Sequence, residues 1–487
     1  MSKSKMILPP CALTFLALTS RASDTLDTTA GMFRGDPAHT GLYSTAGKAR
    51  VQKERWRFKT GNVNRSTPVV IGGVVYVGSQ TGILYALEYA LEAASGNLKW
   101  EFVAPSEITS SPAFAEGLVY INSDSGFFAV DAASGRQAWQ IKTGEPVAFD
   151  HRWDYFQSSP VYADGAVYFG SADGFIYAVE AKSGKGLWKY KTLGRVRSSP
   201  AVTDGVVYVG SMDGNLYALE ARTGQLRWKF KTAGDAFFPT GEVQSSPAVA
   251  NGLVFFGSRD GHLYAVDTAT GQKKWAFSHE GSWCISTPAV WEGLVFAGSS
   301  DGMFVDAVDE RTGQEKWRSK TPARVFSSGA IAAGNVYFGT WGGEVNGYDA
   351  RTGKQVGATM AEAAVDASPV IADGVLYFGS DDGYIYAVEL PAPRHTMTSP
   401  LDPSLLEAYA GDFQFGSSLK ITITHEGGKL IADLPGAGKT ELHPQSESVF
   451  AIGDSPADLE FIRQADGSCQ QAVLHQSGFD VKLVRAK

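Results

Sequence analysis

Residues 198–228 read SSPAVTDGVVYVGSMDGNLYALEARTGQLRW, and the way this stretch divides decides the fold. Four short runs rich in β-branched and aromatic residues, at 201–202, 206–210, 216–219 and 226–230, are separated by Asp204-Gly205, Asp213-Gly214 and Thr223-Gly224. Such pairs supply the positive φ angles that tight hairpins need. The stretch therefore predicts a four-stranded antiparallel meander.

The opening phrase, or a near copy, recurs from Ser66, Ser110, Ser158, Ser198, Ser245, Ser286, Ser327 and Ala367. Its proline, replaced once by Gly329, returns at spacings of 44, 48, 40, 47, 41, 41 and 40 residues. A period near 40 made only of strand-like segments predicts a β-propeller, one blade per repeat. Trp100, Trp139, Trp188, Trp228, Trp275 and Trp317 occupy one place on the fourth strand, where a large aromatic can wedge adjacent blades together. The eighth repeat stops at Leu390 without a fourth strand, while ERWRFKT at 54–60, which carries Trp56, matches RWKFKT at 227–232. The expectation is an all-β chain with an eight-bladed propeller over 54–390. The N-terminal strand closes the last blade and hides the open edges.

Outside the repeats, Lys3 and Lys5, the apolar run 12–18 and Ser20-Arg21-Ala22 read as a secretory signal over 1–22, too short to span a membrane. Leu8-Pro9-Pro10-Cys11 lacks the small residues usual before a lipidated cysteine, which argues against a lipid anchor. Losing Lys3, Lys5 and Arg21 leaves 40 basic and 51 acidic residues, a net charge of −11, which disfavours nucleic acid and anionic membrane surfaces. Residues 23–53 form a lead-in, and the Pro/Ser/Thr-rich 391–404 a linker. A small β-rich domain is expected over 405–487, with strands at 419–424, 429–434, 448–452, 459–463, 472–475 and 480–484. Cys284 and Cys469 lie in different domains, so no disulfide framework is expected. Cys284 shares its register with Ile108, Phe156, Val196, Val243 and Val325 and reads as a buried small hydrophobe.

A binding surface follows from the repeat register. The innermost strand of each blade is expected to end in Ser-Ser-Pro, with the residue four before the proline facing the core. Positions −5 and −3 then alternate onto the channel side. The −5 ring reads Val63, Glu107, Tyr155, Arg195, Glu242, Trp283, Arg324 and Ala364. The −3 ring reads Arg65, Thr109, Gln157, Arg197, Gln244, Ile285, Phe326 and Asp366. The spacings of 48 and 47 come from insertions, EPVAFDHRWDYF at 145–156 and DAFFPTGE at 235–242. The candidate partner-binding face comprises His151, Arg152, Trp153, Tyr155, Arg195, Arg197, Phe237, Phe238, Glu242, Trp283 and Arg324. Loop aromatics beside charges suit a protein, peptide or glycan partner; the competing reading is that they plug the channel mouth. The repetition of Tyr85-Ala86-Leu87-Glu88 as Tyr89-Ala90-Leu91-Glu92 has no functional account.

The pattern Tyr-Ala-Val/Leu-Asp/Glu-Ala-x-Thr/Ser-Gly-x-x-x-Trp, seen at 217–228, resembles the pyrroloquinoline-quinone-type propeller repeat family. The lead-in MFRGDPAHTG at 32–41 is similar to the segment before the first blade in bacterial members, which explains its Arg-Gly-Asp better than integrin binding does. The tail resembles a lipocalin-like domain found behind β-lactamase-related serine hydrolases, through YAGDF at 409–413, GKL at 428–430 and LHQSG at 474–478. The propeller family includes quinoprotein dehydrogenases and the non-enzymatic BamB of outer-membrane protein assembly. The dehydrogenases would imply pyrroloquinoline quinone, calcium and an adjacent cysteine pair, and this chain has no adjacent cysteines. The expectation is a periplasmic or secreted non-enzymatic scaffold without cofactor or metal, binding a protein or cell-envelope component. The BamB-like members are normally lipid-anchored and lack this tail, so an assembly role does not follow directly. The alternative is a quinone-dependent oxidoreductase with quinone and calcium in the channel.

Overall fold

The computed structural model describes residues 31–43, 54–88, 96–148, 154, 156–390, 401–416, 419–435, 438–453, 457–464, 466–476 and 479–486. The signal-like segment, Cys11 and the repetition at 89–92 lie outside them. Eight four-stranded antiparallel sheets make a propeller, and eight further strands make a closed barrel. In the fourth blade the strands Ala201–Thr203, Val206–Gly210, Asn215–Glu220 and Leu226–Lys231 follow in sheet order. Asp204 (φ 49°) and Gly205 (φ 71°) form the two-residue turn between the first two.

The ring closes between the chain's two ends of the array. Glu54–Lys59 pairs antiparallel with Tyr384–Glu389, setting Trp56 opposite Ala387, and completes the sheet of Val370–Ala372 and Val375–Gly379. Trp56 is buried, and Arg55 Nε meets Glu389 Oε1 at 2.7 Å.

Three devices join neighbouring blades. The indole N–H of each repeat tryptophan donates to a backbone carbonyl of the next blade: Trp188 to Ala221 at 2.8 Å, Trp228 to Thr268 at 2.9 Å, Trp275 to Glu310 at 2.9 Å. The ring lies on the Thr-Gly turn of that blade, so that a Cβ at Gly224 would come 2.6 Å from the Trp188 ring. The second residue of Ser-Ser-Pro forms a belt around the channel. The Thr67 amide donates to Ser111 Oγ, Ser111 to Ser159, Ser159 to Ser199, Ser199 to Ser246, Thr287 to Ser328, Ser328 to Ser368, and Ser368 back to Thr67. The first serine acts within its blade, its Oγ accepting the amide of the glycine that ends the second strand, as in Ser198–Gly210 at 3.0 Å. That glycine leaves room for the −4 residue of the next blade: a Cβ at Gly210 would lie 2.4 Å from Val243 Cγ1.

Two expectations need correction. The innermost strand begins after Ser-Ser-Pro rather than ending in it, so positions −5 to −1 are the extended approach to that strand. Phe156 does not share the buried register of Cys284. The second blade carries Asn122 where the others have glycine, and its amide donates to Ser158 O and Gly170 O. The Asn122 side chain fills the space a −4 residue would need, and Phe156 lines the channel instead.

The lead-in seals one end of the channel. Gly31 bridges Phe114, and the carbonyls of Pro37, Ala38, Thr40 and Gly41 accept the amides of Val202, Val249, Val290 and Ile331, each the middle residue of an innermost strand. Arg34 of the Arg-Gly-Asp triplet is fully buried, which removes it from any adhesive role.

The tail opens with a helix, Pro403–Tyr409, capped by the Asp402 carboxylate and starting inside the segment read as linker. The barrel strands follow in order from Gly411–Phe415 to Phe479–Arg485, which close on each other. Gly411–Phe415 and Gly438–Pro444 add to the strands expected from sequence. Tyr409 stacks on Phe461 at 4.3 Å, and with Phe413, Phe450, Leu459 and Leu474 fills the core.

Candidate functional site

Because the chain approaches each innermost strand in extended form, side chains at −5, −3 and −1 follow one another down the channel wall. All eight −3 residues line the cavity above the Ser/Thr belt, and Phe33 of the lead-in closes its floor. The space amounts to about 530 Å³ including its open mouth. The described −5 residues stand at the rim formed by the connections between blades.

The rim is chemically divided. On one side Asp154, from the first insertion, receives Arg197 through two hydrogen bonds of 2.7 Å and Arg195 at 2.5 Å. Burial pushes the Asp154 carboxyl up, but the Arg197 and Arg195 guanidinium groups outweigh it and hold it below the usual carboxylate range. Arg195 Nε also donates to Val147 O at 2.6 Å. The insertion is thereby fastened to the channel wall by a geometry that suits arginine. Of the candidate residues in this insertion, His151, Arg152, Trp153 and Tyr155 lie outside the described residues.

The other side is aromatic and cationic in alternation. Phe238 meets the Trp283 ring edge-on at 4.9 Å, and Arg259 lies 5.2 Å above Trp283. Arg259, almost wholly buried, donates twice to Gln244 Oε1. Arg324 lies 5.2 Å over Trp341 and pairs with Asp301 at 3.0 Å. Glu242 is buried and accepts from Thr240 Oγ1 at 2.6 Å. The second insertion thus splits the two readings of its aromatics. Phe238 packs into the mouth, whereas Phe237 is 85% exposed and Leu193, on the neighbouring connection, 84%.

A third ring was not read from the sequence. The residue after Gly-Ser in each second hairpin (Gln80, Asp124, Ala172, Met212, Arg259, Ser300, Trp341, Asp381) also reaches the rim. The amides of Gln80, Met212, Arg259, Ser300, Trp341 and Asp381 donate to the carbonyls of the −5 residues Val63, Arg195, Glu242, Trp283, Arg324 and Ala364. This fixes the two rings in register. Its side chains engage the −3 ring: Asp381 binds Arg65 at 2.9 Å, Asp124 meets Arg197 at 3.4 Å, and Trp341 packs edge-on to Phe326 at 5.6 Å. The signal was available, since this position varies between repeats while the Ser or Thr before it does not.

Cys284 is buried with His279 and Asp306, which stand where the fourth repeat has Thr232 and Tyr217. Burial works against protonation of His279, but Cys284 and Asp306 outweigh it and raise the imidazole to about 10. His279 Nε2 is 3.5 Å from Asp306 Oδ2, and Arg318 meets the same oxygen at 3.4 Å. The trio substitutes for the Tyr–Asp hydrogen bond of other blades, such as Tyr217 to Asp213 at 2.7 Å.

The family model described as outer membrane protein assembly factor BamB matches residues 45–152, 143–275 and 236–418. The chain belongs to the BamB family. No curated protein sequence matches it. BamB from Moraxella catarrhalis is similar in fold, with a TM-score of 0.58 and 18% identity over 71% of this chain and 99% of that one. A europium-containing methanol dehydrogenase (TM-score 0.62, 14% identity, 74% and 98% of the two chains) shares the fold too. So does the quinohemoprotein alcohol dehydrogenase from Comamonas testosteroni (0.63, 15%, 80% and 85%).

The dehydrogenase folds pose the question of a quinone and its calcium in this BamB-family channel. Calcium takes six to eight oxygen ligands. Among the described residues no three His, Cys, Asp or Glu side chains come together as a cation-binding group. Asp366, the carboxylate of the −3 ring, is instead engaged by Arg65 at 3.4 Å and by the Trp341 N–H at 3.2 Å. These described residues do not fit a calcium ion, and we derive no step through one. Among the described residues no helix is long and apolar enough to cross a membrane.

Proposed function

We propose that this BamB-family chain is a non-enzymatic binding scaffold of the bacterial envelope, periplasmic or secreted, that presents the rim of its propeller to another protein. The observation that carries the reading is the pair Leu193 and Phe237, two large apolar side chains almost fully exposed on adjacent connections. Between and beneath them the Asp154–Arg195–Arg197 cluster and the Phe238–Trp283–Arg259 stack hold the backbone in place. Exposed apolar anchors on a preordered, charged rim are the arrangement in which a few side chains carry most of an interface's affinity. The signal-like segment supports export, and the family description supports a role in outer-membrane protein assembly. The barrel serves as a second module; its resemblance to lipocalin-like domains supports a ligand- or envelope-binding role.

Replacing Leu193 and Phe237 together by aspartate is expected to abolish capture of the partner from an envelope extract. Because both side chains are exposed, thermal stability should stay within about 0.5 kcal/mol of wild type. Capture at wild-type strength would contradict the proposed face. Oxidation of alcohols or sugars with an artificial dye acceptor, after reconstitution with pyrroloquinoline quinone and calcium, would favour the oxidoreductase reading instead.

A further inference from the structure

On the aromatic side of the rim a recess of about 370 Å³, its open mouth included, is lined by Phe156, Trp283, Phe326 and Trp341 together with Asp366, Arg65 and Arg259. Asp366 is 5% exposed. Its Oδ2 receives the Trp341 N–H and faces Arg65, while its Oδ1 is buried without a hydrogen-bond partner among the described residues. A buried carboxylate oxygen without a donor is costly and is ordinarily satisfied. The surrounding charges do not cancel it. Arg65 is shared between Asp366 and Asp381, and Arg259 across the recess faces Glu242. Among the described residues, Arg65 and Arg259 thus meet the three carboxylates Asp366, Asp381 and Glu242, while Arg324 beside Trp341 is paired with Asp301. Burial pushes Asp366 up to about 6, as expected of a carboxylate lacking a full counter-charge.

We propose that this recess is the receptor for one basic side chain, an arginine in preference to a lysine, of an extended segment of the partner protein. A guanidinium entering between Trp341, Phe326 and Trp283 would donate to Asp366 Oδ1 and lie against aromatic faces. The rim already stacks its own arginines on rings in this way, Arg259 on Trp283 and Arg324 on Trp341, each at 5.2 Å. The entering charge balances the recess and takes the place of the proton that Asp366 binds at lower pH. An anionic or purely apolar side chain does neither. The inference rests on the partner-binding reading for its occupant, and it adds what that partner must present.

The test uses the mature full-length chain and the peptide acetyl-Ala-Arg-Ala-amide, followed by saturation-transfer NMR at pH 7.5. The arginine peptide should bind, acetyl-Ala-norleucine-Ala-amide about tenfold or more weakly, and binding should weaken as pH falls through about 6. Asp366→Asn, which keeps the shape and the Trp341 contact, should lower affinity for the arginine peptide about tenfold, and Phe326→Leu should lower it independently. Equal binding of both peptides, full affinity in Asp366→Asn, or no binding of the arginine peptide at 20-fold its millimolar working range overturns the proposal. Partner capture that depends on Leu193 and Phe237 but survives Asp366→Asn would overturn this proposal while leaving the scaffold reading standing.

Discussion

A chain that begins at Gly61 is expected not to fold as a monomer. It lacks Glu54–Lys59, so the strand Tyr384–Glu389 keeps an unpaired edge, and the wedge between the first and last blades goes with Trp56. The Arg55–Glu389 ion pair is lost, as is the lead-in whose carbonyls tie several innermost strands together. An open edge on a long sheet array invites pairing between chains. Size-exclusion chromatography should show oligomers or aggregates instead of a single compact species. A synthetic peptide of residues 54–60 added in trans should recover part of the monomer. A stable, compact monomer from the truncated chain would mean that the ring does not depend on its terminal strand.

Among the six tryptophans whose indole donates to the next blade, Trp275→Ala carries the largest expected cost. Trp275 is 7% exposed, donates to Glu310 O at 2.9 Å, and presses its ring on Gly313, where a Cβ would lie 2.7 Å away. Truncation leaves a cavity and an unpaired buried carbonyl, for a loss of about 3–5 kcal/mol. Trp188→Ala should cost less, since Trp188 is only partly buried although it makes the same hydrogen bond. Denaturant midpoints of the two variants beside wild type give the comparison. Equal losses would show that the seam is held by the hydrogen bond alone and not by the packed ring.

The architecture was legible because it is repetitive. Turn pairs, the tryptophan period and the unmatched strand at 54–60 all pointed to one closed ring, and local propensity agreed with global fold throughout. The −3 ring was legible for the same reason: it is the register at which regular repeats diverge. The third ring obeys that rule but is harder to read, because Arg259 and Trp341 sit in hairpins that resemble ordinary turns. Asp154 is not legible from the repeats, because its insertion has no counterpart in them. The lead-in's function could not be read from local pattern, because residues 31–43 act through backbone bonds to strands far away in sequence. Phe156 was misplaced because its orientation depends on Asn122, a substitution in a different blade. In the tail, the Pro403–Tyr409 helix is too short to show a helical period, and Gly438–Pro444 is bounded by residues that usually signal turns.

The account's central claim, that the rim formed by the blade connections is the partner face, is tested most directly by site-specific photocrosslinking in the intact envelope. A photoreactive residue at 193 or at 237 should give the same discrete adduct. One at Arg222, on the turn at the opposite end of the strand Leu226–Lys231, should give none. Adducts at 222 with none at 193 or 237 would place the partner on the other face and contradict the account.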